Sequence, residues 1–415
     1  MHIKQTPKLH QDWVDPEAFD VVERLQTAGH TTYLVGGCVR DLLLGKHPKD
    51  YDIATMAKPN EVRRLIRNAY VIGKRFRLVL VKRGDQQYEV ATFRRDLKPD
   101  EKTPEEDLPE GDNLFGSPEE DALRRDFTIN GLFYDPVNDS LIDLSGGLED
   151  LKAGRIRMIG DPEARLLEDP IRILRAVRLA HMIRFQLDEA LRSAMAKHAS
   201  SLLQSALPRR REEILKFLRL DNPALPFLES YDLGLLEYMA PTLHELFSHS
   251  EKSQDFVTYL QAFHDKRMEA PFELFAGLVL AYYRSVIEPK SEVPVKNKDL
   301  LDNPKLVRLM RDELGMFKYE QSLVAKAIQM QGLLNKRAEF ERRGSSRQMA
   351  ILKNEAFPLA LKLADRDYSL SADDLKFWHE SFEKGRKEIE SFQSNNNKRR
   401  RRRRRKPGPR KRPQS

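Results

Sequence analysis

The chain has 415 residues and a mass of 48.2 kDa, 40% hydrophobic and 33% charged, which at ~100–200 residues per domain allows two to four domains and excludes wholesale disorder. One cysteine, Cys38, excludes an internal disulfide and a cysteine-built zinc site; the longest apolar run, Leu274 to Tyr283, is too short for a span of ~20 residues, and Met1 to Trp13 lacks the apolar core of a secretory signal, so a cytoplasmic protein is expected. The formal net charge is +8, yet residues 398–415 carry twelve Lys or Arg and no acid, so the remainder is mildly acidic, with 60 basic against 64 acidic residues.

Along the first ~95 residues, short apolar runs alternate with helical patterns. Thr31 to Val35 reads as a strand, Val39 to Leu44 as a short helix, Tyr51 to Ala54 as a strand and Glu61 to Asn68 as a helix. Leu78 to Val81 and Tyr88 to Phe93 read as two strands joined around Gly84-Asp85. Asp96 to Glu120 is acidic and rich in proline and glycine, the composition of a mobile loop. Strand signals return at Gly131 to Tyr134 and Leu141 to Asp143, and after about residue 160 the pattern is helical, with breaks at Pro223 to Pro226 and Val286 to Pro304. Asn395 to Asn397 reads as a hinge into a tail of seven consecutive arginines, Arg399 to Arg405. These cannot pack together and should be disordered alone. Such a run favours polyanions with little sequence preference; a solubilising tail, an anionic-membrane anchor and a protein-docking arm remain open.

Four segments carry chemistry. In Leu34-Val35-Gly36-Gly37-Cys38-Val39-Arg40-Asp41 a strand runs into two glycines and a helix start, where a phosphate can approach the backbone and Arg40 can add charge-assisted bonds. In Asp50-Tyr51-Asp52-Ile53 the two carboxylates project to one side while Tyr51 and Ile53 face the core. Adjacent carboxylates repel unless a cation lies between them, and a hard divalent ion such as Mg²⁺ suits them. Arg124-Arg125-Asp126-Phe127-Thr128-Ile129-Asn130 offers arginines, a carboxylate and an amide for a triphosphate and a ribose. In Glu168 to Arg178, Asp169, Arg172, Arg175 and Arg178 step by three, one polar stripe on a helix that turns Ile171, Leu174 and Val177 toward the core. Arginine with aspartate can read the edge of a base.

Taken together, L-V-G-G-x-V-R-D, D-Y-D-I, R-R-D-F-T-I-N and E-D-P-I-R-I-L-R-A-V-R resemble the template-independent nucleotidyltransferases, the class containing bacterial poly(A) polymerase and the tRNA CCA-adding enzymes. The resemblance runs from about Tyr33 to Phe185, with Arg209, Glu213 and Lys216 similar to the family's neck motif. It implies an α+β fold: a mixed α/β, polymerase-β-like nucleotidyltransferase head, then an all-helical neck and body, then the basic tail. The expected division is an extension at 1–30, the head at 31–155, a base-reading neck at 156–220, an RNA-binding body at 221–392 and the tail at 393–415.

By the same resemblance, Gly36, Gly37 and Arg40 hold the triphosphate of substrate ATP, and Asp50 and Asp52 ligate Mg²⁺. Asp126 is the preferred third carboxylate, with Glu89 its rival. Arg125, Asp169, Arg172, Arg175 and Arg178 bind the nucleotide; Asp169 and Arg172 read the base. The expected partners are RNA 3′ ends, with Arg399, Arg400, Arg401, Arg402, Arg403, Arg404 and Arg405 gripping RNA, and RNA-decay or RNA-chaperone proteins as protein candidates. Gly73-Lys74-Arg75-Phe76-Arg77-Leu78 resembles a segment typical of poly(A) polymerases, as does the arginine tail, so the implied reaction is AMP transfer to RNA ends. A CCA-adding enzyme is the alternative, and an inactive RNA-binding protein a remote one. His264-Asp265 lacks the further ligands a phosphohydrolase would need.

Overall fold

The structure, a computed structural model, describes residues 9, 11–73, 78–96, 113–265, 270–287, 295–367 and 369–387. Lys74 to Arg77, residues 97–112, the Asn395–Asn397 hinge and the Arg399–Arg405 tail lie outside the described residues. The chain folds into two compact units, Met1–Ser205 and Ala206–Ser415. The segment 156–220, expected as one neck, contributes to both.

The first unit begins with α1 (Pro16–Thr27), started by the Asp15 carboxylate, which accepts from the Glu17 and Ala18 amides, with proline at the first helical position. There follow β1 (Thr32–Val35), α2 (Gly37–Leu43), β2 (Asp52–Thr55), α3 (Pro59–Leu65), β3 (Ala69–Ile72), β4 (Leu78–Arg83) and β5 (Gln86–Thr92). After these come β6 (Arg94–Asp96), β7 (Asn113–Phe115), α4 (Pro118–Leu123), β8 (Leu132–Asp135), β9 (Ser140–Asp143), α5 (Gly147–Ala153) and β10 (Arg155–Ile156). The unit ends with α6 (Pro162–Glu168), α7 (Ile171–Ile183), β11 (Gln186–Leu187) and α8 (Glu189–Lys197).

Seven strands form one mixed sheet in the order β3-β4-β5-β2-β1-β8-β9, in which only β2 and β5 run parallel. One face carries the main core: Leu34, Ile53, Val90 and Tyr134 pack with Val21 and Val22 of α1 and Val39 and Leu42 of α2. The other carries a small cluster, Val35, Ala54, Phe93, Ala122 and Phe133. Successive strand residues alternate faces, so Asp52 shares the second, thinly covered face with Ala54, and Glu89 shares it with Phe93.

Most expected strands form within a residue or two of their predicted bounds. β3 (Ala69–Ile72) follows directly on the stretch expected as helix and carries no predicted element, because four residues show no clear period. The expected loop from Asp96 holds β7, paired antiparallel with β6, and α4, started by a capping box between Ser117 and Glu120. The helical stretch after residue 160 is interrupted by β11, which pairs in parallel with β10. Both have two residues, too short for alternation to show.

The second unit is helical among its described residues: α9 (Leu207–Phe217), α10 (Leu225–Asp232), α11 (Leu236–Met239), α12 (Pro241–Phe247), α13 (Ser250–Asp265), α14 (Pro271–Tyr282), α15 (Asn297–Asp302), α16 (Pro304–Val307), α17 (Lys318–Leu334), α18 (Arg337–Glu341), α19 (Ser345–Leu352) and α20 (Phe357–Arg366), with a last helix over 372–387. The apolar run at Leu274 is α14, buried from Glu273 through Tyr282, as a helix apolar all round must be. No described helix is long and apolar enough to cross a membrane.

Close packing beneath the site makes Gly147 irreplaceable: an added Cβ would meet the Thr128 carbonyl oxygen at 2.3 Å. Gly147→Ala should destabilise the fold by about 1–3 kcal/mol. Gly332→Ala, in α17 with open space around it, should be neutral or stabilising by about 0.5–1 kcal/mol. Urea denaturation of both variants checks the contrast, and equal midpoints would contradict the packing account.

Candidate active site

The site grows where the last residue of β1 and the first of β2 meet the middle of β5. Val35, the last residue of β1, pairs with Asp52, the first of β2, and Asp52 pairs in turn with Glu89 of β5. As the chain leaves β1, Gly36 takes φ +76°, a left-handed conformation that side chains disfavour. A Cβ there would also press on the site, 3.1 Å from Arg125 Nη1 and in contact with Asp52 Oδ2 at 3.7 Å. Gly36, Asp52 and Arg125 therefore converge on one point.

Asp50 precedes β2 rather than lying on it, yet Asp50 and Asp52 are both exposed while Tyr51 and Ile53 are buried. Desolvation by the surrounding protein, although the side chain reaches water, raises the Asp52 pKa, and the Glu89 and Asp50 carboxylates push the same way against the Arg125 guanidinium. This is a carboxylate set with surplus negative charge. The described residues contain no group of three or more His, Cys, Asp or Glu arranged to hold a metal ion by themselves.

Asp126 has the opposite environment. Burial alone would raise its pKa, but the Arg175 guanidinium outweighs it, aided by hydrogen bonds from Arg175, Asn130 and the Phe127 amide, and the carboxyl is held low. Arg175 Nε and Nη2 donate to Asp126 Oδ2 at 2.8 and 2.5 Å; the Phe127 amide and Asn130 Nδ2 donate to Oδ1 at 2.8 and 3.3 Å. Asn130 Oδ1 in turn accepts from Arg40 Nη1 at 2.7 Å, and the buried Arg40 also donates twice to Asp41. One polar chain, Arg40–Asn130–Asp126–Arg175, thus links α2 to α7.

Within the arginine stripe, Arg172, Arg175 and Arg178 lie on α7 as predicted, each half-buried between buried apolar neighbours. Asp169 is not on that helix: it ends α6, ahead of Pro170, because proline resets the chain at the junction. Arg172 Nη1 donates to Glu168 and to the Arg165 carbonyl, both at 2.7 Å.

Two holders escaped the sequence reading. Asp121, buried on α4, accepts from the Arg124 and Arg125 side chains and the Arg94 amide. Its spacing of three and four residues before two arginines on a helix was the available signal. Arg165 donates to the carbonyls of Arg124 and Arg125 at 2.5 and 3.0 Å, a contact no local pattern announces. The single cysteine, Cys38, is buried with its thiol pushed up to about 12 by desolvation, which makes it a packing residue.

The Asp126–Arg175 pair gives a signed pH dependence. A carboxyl held low stabilises the fold above its ordinary value of about 4, and that stability is lost as pH falls through the lowered folded-state pKa. Arg175→Met leaves a buried, unpaired carboxylate, so it should be less stable than the parent at pH 7, with the gap closing below about pH 4. Urea unfolding across that range measures it; a gap independent of pH would contradict the assignment.

The Poly A polymerase head domain model matches residues 32–157, and the model for the probable RNA and SrmB-binding site of polymerase A matches 184–247. The chain is 36% identical over 310 residues to poly(A) polymerase I of Haemophilus influenzae, covering 72% of this chain and 68% of that one. It is 41% identical over 246 residues to poly(A) polymerase I of Salmonella typhi, with 58% and 53% covered. It is 30% identical over 329 residues to the CCA-adding enzyme of Latilactobacillus sakei, with 76% and 78% covered. The chain thus spans about half the length of several poly(A) polymerases that it matches. In fold it is similar to the crystal structure of Bacillus stearothermophilus CCA-adding enzyme in complex with CTP, with TM-score 0.64, 24% identity and coverage of 90% of this chain and 82% of that one. The chain belongs to the family of nucleotidyltransferases that contains the poly(A) polymerases and the CCA-adding enzymes.

Proposed function

We propose that the protein is a template-independent poly(A) polymerase, which transfers AMP from ATP to RNA 3′-hydroxyl ends with release of pyrophosphate. The observation that carries this reading is the register that sets Asp52 beside Glu89 and against Gly36 and Arg125. Phosphoryl transfer needs such a constellation: surplus carboxylate charge, an open backbone turn and a cation.

The donor set fits a hard divalent ion. Mg²⁺ takes one or two protein carboxylates and completes its shell with water and substrate phosphates, so Asp50 and Asp52 suffice without an all-protein cage. Asp50 and Asp52 would hold the Mg²⁺, whose chemistry there would be Lewis-acid activation of a hydroxyl and neutralisation of phosphate charge. Glu89, which has no hydrogen-bond or ion-pair partner among the described residues, is the better third carboxylate. Asp126 is fully committed to Arg175, Asn130 and the Phe127 amide, so we assign it a positioning role.

The remaining roles belong to the chain's own groups. Gly36 and Gly37 leave room for phosphate against the backbone, and Arg125, held by Asp121, presents positive charge beside Asp52. Arg40 is buried and anchors α2 through Asn130 rather than reaching the triphosphate directly. Asp169 and Arg172, at the start of α7, present an acceptor and donors for the base edge, with Arg172 exchanging its bond to Glu168 for the base. Arg175 holds Asp126, and Arg178 is the next cation along the helix. The arginines Arg399 to Arg405 grip RNA without reading sequence, and the work takes place in the cytoplasm. The second reading is CCA addition, favoured by the Latilactobacillus sakei CCA-adding enzyme, whose match covers 76% of this chain against 72% for the Haemophilus influenzae polymerase.

In a single-turnover assay with labelled ATP, an unstructured RNA and Mg²⁺, Asp50→Ala/Asp52→Ala should lower AMP transfer by at least ~10²–10³-fold while leaving RNA binding intact. Glu89→Gln should fall further than Glu120→Gln, a control in the α4 cap. Undiminished transfer by the double variant would contradict the carboxylate assignment.

A further inference from the structure

Phe317 and Tyr319 flank the start of α17 and are 71% and 62% exposed; Phe317 is the most exposed large hydrophobic side chain among the described residues. A ring in water forgoes the free energy of burial, and single exposed hydrophobics are common. Here, however, the sequence is aromatic–lysine–aromatic, and the protein braces its first ring.

Gly315 turns the chain with φ +60° against Leu207, which lies 3.2 Å from where a Cβ would stand. Arg211 of α9 donates to the Gly315 carbonyl at 2.6 Å and pairs with Glu320 at 3.1 Å, and Glu320 accepts the Phe317 amide at 2.8 Å. The Arg211 guanidinium lies 5.4 Å from the Phe317 ring centroid and 4.8 Å from that of Phe275. The Phe317 ring is thus braced from within and open to water outside. Phenylalanine is also a poor choice at a helix N-cap, where Ser, Thr, Asp or Asn would satisfy the free amides; the helix start gains nothing from it. Lys318, between the rings, is exposed and has no ion-pair partner among the described residues.

We propose that this helix start is a base-stacking site for single-stranded RNA, with Phe317 and Tyr319 as separate stacking rings and Lys318 as a phosphate contact. Rigid aromatic rings beside lysine are the pattern by which proteins hold single strands without reading sequence. Phe317 is the extended N-cap and Tyr319 lies in the first turn of α17, so the two rings take different nucleotides. Arg211, the brace of Phe317, lies inside the segment matched by the RNA-binding model. The inference rests on the reading that RNA ends are the substrate, and adds a place in the second unit where the strand is held.

Stacking and charge separate by their response to salt. The test is the affinity of the full chain for a labelled unstructured oligo(A), by fluorescence anisotropy at two salt concentrations. The variants are Phe317→Ala, Tyr319→Ala, the aromatic replacements Phe317→Trp and Tyr319→Phe, and a chain lacking residues 398–415, with melting temperatures compared. Each alanine variant should bind about tenfold more weakly at both salts, with the salt slope unchanged. The aromatic replacements should bind like the parent. Deletion of the tail should instead flatten the slope. Alanine variants within twofold of a parent that binds RNA would overturn this inference alone and leave the rings to a protein partner. A loss that the aromatic replacements share would also overturn it, and a parent that binds no RNA would overturn both this and the proposed function.

Discussion

The site depends on one constraint, the register that sets the end of β1 and the start of β2 against the middle of β5. Val35 opposite Asp52, and Asp52 beside Glu89, bring a turn and two carboxylates to one level of the sheet. A slip of one residue would turn Asp52 into the main core and Ile53 into water. The alternating burial of Tyr51 and Ile53 forbids that slip, so the hydrophobic core on one face fixes the chemistry on the other. Gly36 follows from the same geometry, since the turn out of β1 needs φ +76° and a side chain there would press on Arg125.

Around this centre the protein divides its charges between two tasks. Asp52 is crowded by carboxylates and its pKa is raised; Asp126 is held by an arginine and its pKa is lowered. Opposed shifts in neighbouring carboxyl groups separate chemical from supporting roles. The supporting set is large: Asp121 orients Arg124 and Arg125, Arg165 holds the backbone beneath them, and Asn130 joins Arg40 to Asp126. Each buried charge has a partner, which the cost of an unpaired one requires.

The glycine turn, the paired aspartates and the arginine stripe were legible in the sequence because each is local, its residues one to three positions apart. The family, the mixed sheet and the helical second unit followed from them. What could not be read is non-local. The sequence favours Asp126 over Glu89 as third carboxylate; only the strand pairing brings Glu89 to Asp52, and only the fold brings Arg175, forty-nine positions on, to Asp126. Asp169 was misplaced because its three-residue step with Arg172 continues through Pro170, which breaks the helix. The rings at Phe317 and Tyr319 carried no motif, and their interest lies in exposure, which sequence does not give.

The two readings of this chain, poly(A) polymerase and CCA-adding enzyme, predict different nucleotides and different stopping points. The direct measurement is extension of an unstructured RNA and of a tRNA lacking its 3′ end, with each nucleoside triphosphate supplied singly and together. Long tails from ATP alone on the unstructured RNA are the result this account predicts. Growth confined to two C and one A on the tRNA would contradict it and make the chain a CCA-adding enzyme.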